Sequence, residues 1–150
     1  MNAPAKKTPW NPSRTATARV SNPLPVPERC PYCGGPVGIV NHREIYGREY
    51  GDWPWAYLCR PCDAHVGMHP FTHIPLGTLA DRETREARKS AKAPFEALHR
   101  SRLMDRDAAY RLLAERLGIP QAECHFGWFD AALCARAKQA AESILREYRP

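Results

Sequence analysis

Two pairs of cysteines constrain this chain more than any other feature of its 150 residues: Cys30-Pro31-Tyr32-Cys33 and Cys59-Arg60-Pro61-Cys62, with 25 residues between them. Two residues between cysteines let both thiolates face one ion while the backbone turns, and Gly34 or Gly35 supplies the permissive conformation after the first turn. Two such pairs complete a tetrahedral, closed set of four sulfurs, which is the structural form of zinc coordination rather than the catalytic one. The intervening chain suits a small hairpin: residues 37–40 and 44–46 read as strand, 47–54 as a polar tip and 55–58 as the returning strand. This is the pattern of a zinc ribbon, with Cys30, Cys33, Cys59 and Cys62 holding one structural Zn2+. An iron site or a redox dithiol fits less well, because a redox C-x-x-C belongs beside a βαβ pattern that is missing here. A module below about 40 residues usually needs such a staple, and zinc supplies folding free energy outright. The site therefore speaks for a stapled module and not, by itself, for catalysis.

Proline and charge divide the rest. Twelve of the 15 prolines lie in the first 75 residues, and the remainder is rich in Ala, Arg, Glu and Leu, so only the second half suits long helices. Residues 1–28 read as a disordered, basic, Pro-rich tail, 29–77 as the ribbon, and 78–150 as a helical segment expected to pack on the ribbon. The fold class is α+β: β-hairpins around zinc, then three helices. The net charge of +6 is uneven. Residues 1–28 hold four basic and one acidic residue, and 78–118 hold ten and seven; the ribbon and residues 119–150 each hold four of both signs. The apolar runs are only a few residues long against the roughly 20 that a spanning helix needs. No apolar stretch follows the basic residues of MNAPAKKTPWNPS as in an export signal. A reducing cytoplasm is thus expected, with the thiols available for metal rather than disulfides.

In the second half, Thr78 with Asp81 three residues on is close to a capping box and reads as a helix start. At 100° per residue, Ala80, Thr84, Ala87, Ala91, Phe95 and Leu98 gather within about 80° of one another. Arg82, Arg85, Lys89 and Lys92 gather on the opposite side, a cationic line about 15 Å long that suits a phosphate backbone. The competing reading is a solvated face relieved by Glu83 and Glu86. Pro94 is expected to kink or end this helix. Residues 106–117 and 129–148 read as two more helices. Leu113-Ala114 with Leu117-Gly118-Ile119 looks like the first half of a helix-turn-helix, but residues 119–129 contain no Lys or Arg, so a packing bundle is expected there.

Further candidates lie outside the cysteines. Trp53, Trp55 and Tyr57, with Tyr50, Arg43, Arg48 and Arg60 nearby, are candidates for stacking on bases or contacting a partner; the competing reading has them covering the ribbon. His65, His69 and His73 are spaced four apart, but Gly67, Pro70 and Pro75 speak against a helix that would align them. A second metal site would have to draw on His69, His73, Cys124 and His125, and small-enzyme chemistry on His69, His125 and Asp130. Cys124 and Cys134 read otherwise as small buried hydrophobes.

From Cys30 onward, over about 110 residues, the chain resembles a zinc-finger-containing domain family of unknown function found in bacteria and their phages. The resemblance rests on Cys30-Pro31-Tyr32-Cys33, on Cys59 and Cys62 followed by Ala64-His65-Val66-Gly67-Met68-His69, and on Pro75-Leu76-Gly77-Thr78-Leu79-Ala80-Asp81. It continues through Ser101-Arg102, Ala109-Tyr110, Leu117-Gly118-Ile119 and Cys124-His125 to Phe129-Asp130. The pattern departs at Met68, where the family carries Cys, and at Glu96, where it carries Asp. The resemblance implies a ribbon-plus-helices architecture and a bacterial or phage cytoplasmic setting, and no catalytic residues. The expectation is a non-enzymatic, phage-type zinc-ribbon protein binding DNA or RNA, or a host protein that processes nucleic acid, with no membrane association. The alternative is an adaptor or inhibitor that contacts a host complex through its aromatic surface; a small enzyme comes third.

Overall fold

The computed structural model describes residues 5–149. By its internal contacts the chain forms two compact units, Met1–Asp81 and Arg82–Pro150. The first is a mixed unit around a three-stranded antiparallel sheet, β1 (Val37–Asn41), β2 (Trp55–Cys59) and β3 (His65–Gly67), in the order β1-β2-β3. β-Branched and aromatic residues suit this pleated, half-buried surface. The register sets Ile39 opposite Tyr57 on one side of β2 and Val66 opposite it on the other. Tyr57 thus lies in the middle of a cross-strand row, in a core that also contains Trp53, Met68 and Leu79.

Several local expectations give way in this unit. Residues 44–46 are not strand but the end of a four-residue helix, α2 (Arg43–Tyr46). The Asn41 side chain accepts the Arg43 N–H at 3.0 Å, and Gly47, at φ 77°, ends the turn, so local side-chain bonding overrides strand propensity. β3 is too short for its alternation to show in the sequence, yet it completes the sheet. It also displaces the expected helix start, because Ala80 exchanges backbone hydrogen bonds of 3.0 and 3.1 Å with His65 while Leu79 is buried. Thr78 therefore begins no helix.

The leader also departs from the expectation of disorder. Residues 14–19 form a short helix, α1 (Arg14–Arg19), whose first turn is capped by Ser13 Oγ accepting the Ala16 N–H. The Ser13 N–H donates to the Phe71 carbonyl at 2.8 Å, and the Trp10 ring stands edge-on to Trp55 at 5.4 Å. Composition contains no trace of either tertiary contact, which is why it reads this stretch as unstructured.

The second unit contains α3 (Arg82–Arg100), α4 (Arg106–Leu117) and α5 (Ala131–Tyr148). Asp105 and Asp130 cap the last two, each carboxylate accepting a backbone N–H three residues on at 2.7 Å. Two three-residue 3-10 turns, Gln121–Glu123 and Phe126–Trp128, join α4 to α5 where a recognition helix would have to lie. α5 begins two residues later than the periodicity suggests, because Phe129 turns into the core and Asp130 takes the cap. α3 continues through Pro94 instead of ending there. A proline inside a helix costs about 3 kcal/mol. Phe95 and Leu98, just beyond it, are both buried, and each contributes roughly 1.5–3 kcal/mol. Packing therefore outweighs the break. The core centres on Phe95, Leu98, Leu113, Phe126, Phe129 and Ile144. Among the described residues, no helix is long and apolar enough to cross a membrane.

Candidate metal centre

The two cysteine turns repeat one construction. In the first, the Cys30 N–H donates to the Gly35 carbonyl and the Gly34 N–H to the Cys30 carbonyl, both at 2.9 Å. In the second, the Cys59 N–H donates to Ala64 and the Asp63 N–H to Cys59, both at 2.8 Å. The residue after each pair is left-handed, Gly34 at φ 75° and Asp63 at φ 62°. Glycine adopts that conformation freely, and aspartate is one of the few other residues that visit it. The next position is set by space. A Cβ on Gly35 would lie 3.2 Å from the Cys33 sulfur and the Pro61 ring and 3.4 Å from the Cys59 sulfur. Any other side chain would require the sulfurs or the proline ring to give by a few tenths of an ångström.

These turns bring Cys30 and Cys62 sulfurs to 3.4 Å, Cys33 and Cys59 to 3.4 Å, and Cys59 and Cys62 to 3.6 Å. All four lie within 4.8 Å of one another, and none is in a disulfide. Zinc–sulfur bonds of about 2.3 Å in a tetrahedron place sulfurs nearly 4 Å apart, so the cage matches zinc in size and in donor chemistry. Cys30 and Cys59 are buried, Cys62 is half-buried and Cys33 exposed.

Backbone N–H groups point at the sulfurs: Tyr32 to Cys30 and Gly35 to Cys33, both at 3.4 Å. Burial pushes the Cys30 thiol up, but the N–H groups of Cys33 and Tyr32 and the neighbouring thiols outweigh it, and the group settles at about 7. At Cys59 burial dominates and pushes the thiol up to about 12, against the pull of the Cys62 N–H. At Cys62 the Ala64 N–H pulls down, but burial and the Cys30 and Cys33 sulfurs together carry the thiol up. Four thiolates this close repel one another unless a cation lies between them, and a divalent ion supplies that charge. Cys30, Cys33, Cys59 and Cys62 are thus positioned to bind one zinc ion. With four protein ligands the site has no open position for a substrate, so its contribution is to the fold.

The other candidates separate on burial. Trp53 and Tyr57 are buried, the indole N–H donating to the Thr72 carbonyl at 2.9 Å and the phenol to the His73 carbonyl. Neither is available to stack on a base, so the expectation of a contact surface there is corrected for these two. A module this small has little else with which to fill its interior. Trp55 is half-buried against Trp10. Near the sheet, exposed Tyr46 and Tyr50 instead cluster with the half-buried His42 and His65, joined by Tyr46–Tyr50 at 5.4 Å, His42–Tyr46 at 5.5 Å and Tyr46–His65 at 5.8 Å. Reading 44–46 as strand hides this cluster; the signal for it was the pair of tyrosines flanking Gly47.

Among the described residues, the four cysteines are the one group of three or more ligating side chains whose donor atoms converge, so His69, His73, Cys124 and His125 form no such group. His69 is half-buried, and burial lowers its pKa. His125 Nε2 lies 2.9 Å from the Ala122 carbonyl, with its ring 4.6 Å from Trp128. Cys124 is buried in the helical core, which pushes its thiol up to about 11, and burial likewise raises Cys134. Asp130 is occupied as the cap of α5. Asp130→Ala is expected to lower the stability of the helical unit by about 1 kcal/mol, read as a shift in its urea midpoint.

The four cations all lie on α3. Arg82, Lys89 and Lys92 are exposed and Arg85 half-buried, opposite the buried Thr84, Ala91, Phe95 and Leu98. Arg82 pairs with Glu86 at 3.3 Å, whereas Lys89 and Lys92 make no ion pair among the described residues. Arg88, on the same helix, is turned inward and donates from Nε to the Phe129 carbonyl at 2.9 Å.

Residues 26–144 match the model of a family described as a zinc-finger-containing domain, of unknown function. No curated protein and no solved structure matches the chain.

Proposed function

We propose that this chain, which belongs to the zinc-finger-containing family matched by residues 26–144, is a non-enzymatic module that binds nucleic acid through the cationic edge of α3. The observation that carries the reading is the division of α3 into a buried apolar side and a side on which Arg82, Lys89 and Lys92 face solvent, with Arg85 half-buried. Lysines at that spacing act as point charges for successive phosphates, and their energy comes from counterion release, so binding of this kind is steeply salt-dependent. The setting proposed is a bacterial cytoplasm occupied by a host or its phage, where reducing conditions keep four thiols available to zinc. The adaptor alternative, which needs Trp53 and Tyr57 at the surface, is weakened by their burial.

The test is fluorescence anisotropy with a labelled 20-mer between 50 and 200 mM salt. Replacing Arg82, Arg85, Lys89 and Lys92 with alanine is expected to flatten the log K against log salt slope by about 3 to 4, about half of it lost already in Lys89→Ala/Lys92→Ala. A variant that binds as tightly as the parent, with the same slope, would falsify the reading.

A further inference from the structure

The ribbon unit holds a ring cluster, with two exposed tyrosines and a half-buried His42, that neither the zinc site nor α3 uses. His42 precedes α2, Tyr46 ends it, and Tyr50 follows the Gly47 turn; both tyrosines are 49% exposed. Tyr46 meets Tyr50 at 90° and His42 at 79°, edge-on contacts that leave about half of each tyrosine open to solvent. The segment is held in place before any ligand arrives. The Tyr50 N–H donates to His42 Nδ1 at 3.2 Å, and the Asn41 amide donates to Glu49 at 2.7 Å. Arg43 and Arg60 are matched by Glu49 and Glu44, at 3.4 and 2.6 Å. Arg48 makes no ion pair among the described residues, and its guanidinium lies 4.6 Å over the Tyr50 ring. The patch is therefore aromatic, with Glu44 and Glu49 each paired to an arginine and the Arg48 guanidinium set against a ring.

We infer that His42, Tyr46, Tyr50 and Arg48 form a stacking platform for the unpaired bases of a single-stranded nucleic acid. The inference rests on the nucleic-acid reading above and sharpens it by naming the strand state. Every base has a π-face, but only a base outside a duplex stack can present it to a tyrosine. The Arg48 guanidinium beside the rings, which makes no ion pair among the described residues, suits the adjoining phosphate, a pairing that an apolar peptide anchor would leave unused. A rigid platform loses little entropy on binding.

The experiment uses the zinc-loaded full chain, an oligothymidine 15-mer, a blunt duplex of equal length, and a 15-mer carrying 2-aminopurine. Tighter binding of the single strand than of the duplex is expected, with 2-aminopurine fluorescence quenched on binding. Tyr46→Ala/Tyr50→Ala should weaken single-strand binding roughly tenfold or more per ring and abolish the quench. Tyr46→Phe/Tyr50→Phe, which keeps the rings, should bind like the parent, and a zinc content of one per chain in both variants verifies the fold. Equal binding of strand and duplex by the parent, or a strand preference that survives the alanine pair, overturns the platform while leaving α3 as the binding surface. Absence of binding to either nucleic acid at low salt overturns both readings.

Discussion

Cys59→Ser is expected to release zinc and unfold the ribbon unit. The Cys59 sulfur is fully buried, with those of Cys33 and Cys62 at 3.4 and 3.6 Å, and serine offers a shorter, harder donor that does not ionise. Binding of structural zinc to four cysteines contributes on the order of 10–16 kcal/mol of apparent free energy at neutral pH. That is as large as the whole stability of an ordinary domain, about 5–15 kcal/mol, so a unit this small has no reserve to replace it. Elemental analysis should fall from one zinc per chain to none. The amide dispersion of β1, β2 and β3 should collapse together with the near-UV circular dichroism of Trp53 and Tyr57. Chelation of the parent should do the same, and added zinc should restore it. Retained dispersion in the three strands of the metal-free variant would show that the sheet stands without its staple.

Phe95→Ala is expected to cost the helical unit about 3–5 kcal/mol. The ring is 2% exposed and lies 4.6 Å from Tyr110 and 5.2 Å from Phe126, so truncation opens a cavity among large, rigid neighbours that cannot easily collapse into it. It also removes part of the packing that keeps α3 continuous past Pro94, and the last turns of the helix should fray. The urea midpoint of the unit should drop and the helical ellipticity should lose the contribution of residues beyond 94, with zinc content still one per chain. A loss of less than 1 kcal/mol would mean that Pro94 is tolerated for some reason other than the burial of its neighbour. Phe95→Leu, which refills most of the volume, should cost clearly less.

The zinc ligands were legible from spacing because their chemistry is local. Two residues between cysteines determine a turn, and the second pair supplies the remaining valences without reference to the rest of the chain. Helix α4 was legible to its ends for the same kind of reason: its apolar residues and the terminating Gly118 lie within one short window, and the structure adds the Asp105 cap. The strand pair β1–β2 was visible too, since five-residue runs of β-branched and aromatic residues carry their own signal. Elements defined by partners were not visible. β3 exists because Tyr57 and Ala80 flank it, the short helix of the leader is anchored because Phe71 and Trp55 receive Ser13 and Trp10, and α3 survives its proline because a core lies beneath it.

The same division separates the metal site from the surfaces around it. The sequence by itself determined that four thiols are available to one zinc ion, that the chain has a neutral stapled part and a helical part with a cationic side, and that no long apolar span is present. Tertiary structure alone decided which aromatic residues fill the interior and which face water. Trp53 and Tyr57 went inside because their polar tips found the carbonyls of Thr72 and His73, while Tyr46 and Tyr50 were left on the rim by a turn that Asn41 and Gly47 impose. Burial of an amphipathic ring depends on whether its hydrogen-bonding end meets a partner far along the chain, and no local pattern encodes that meeting.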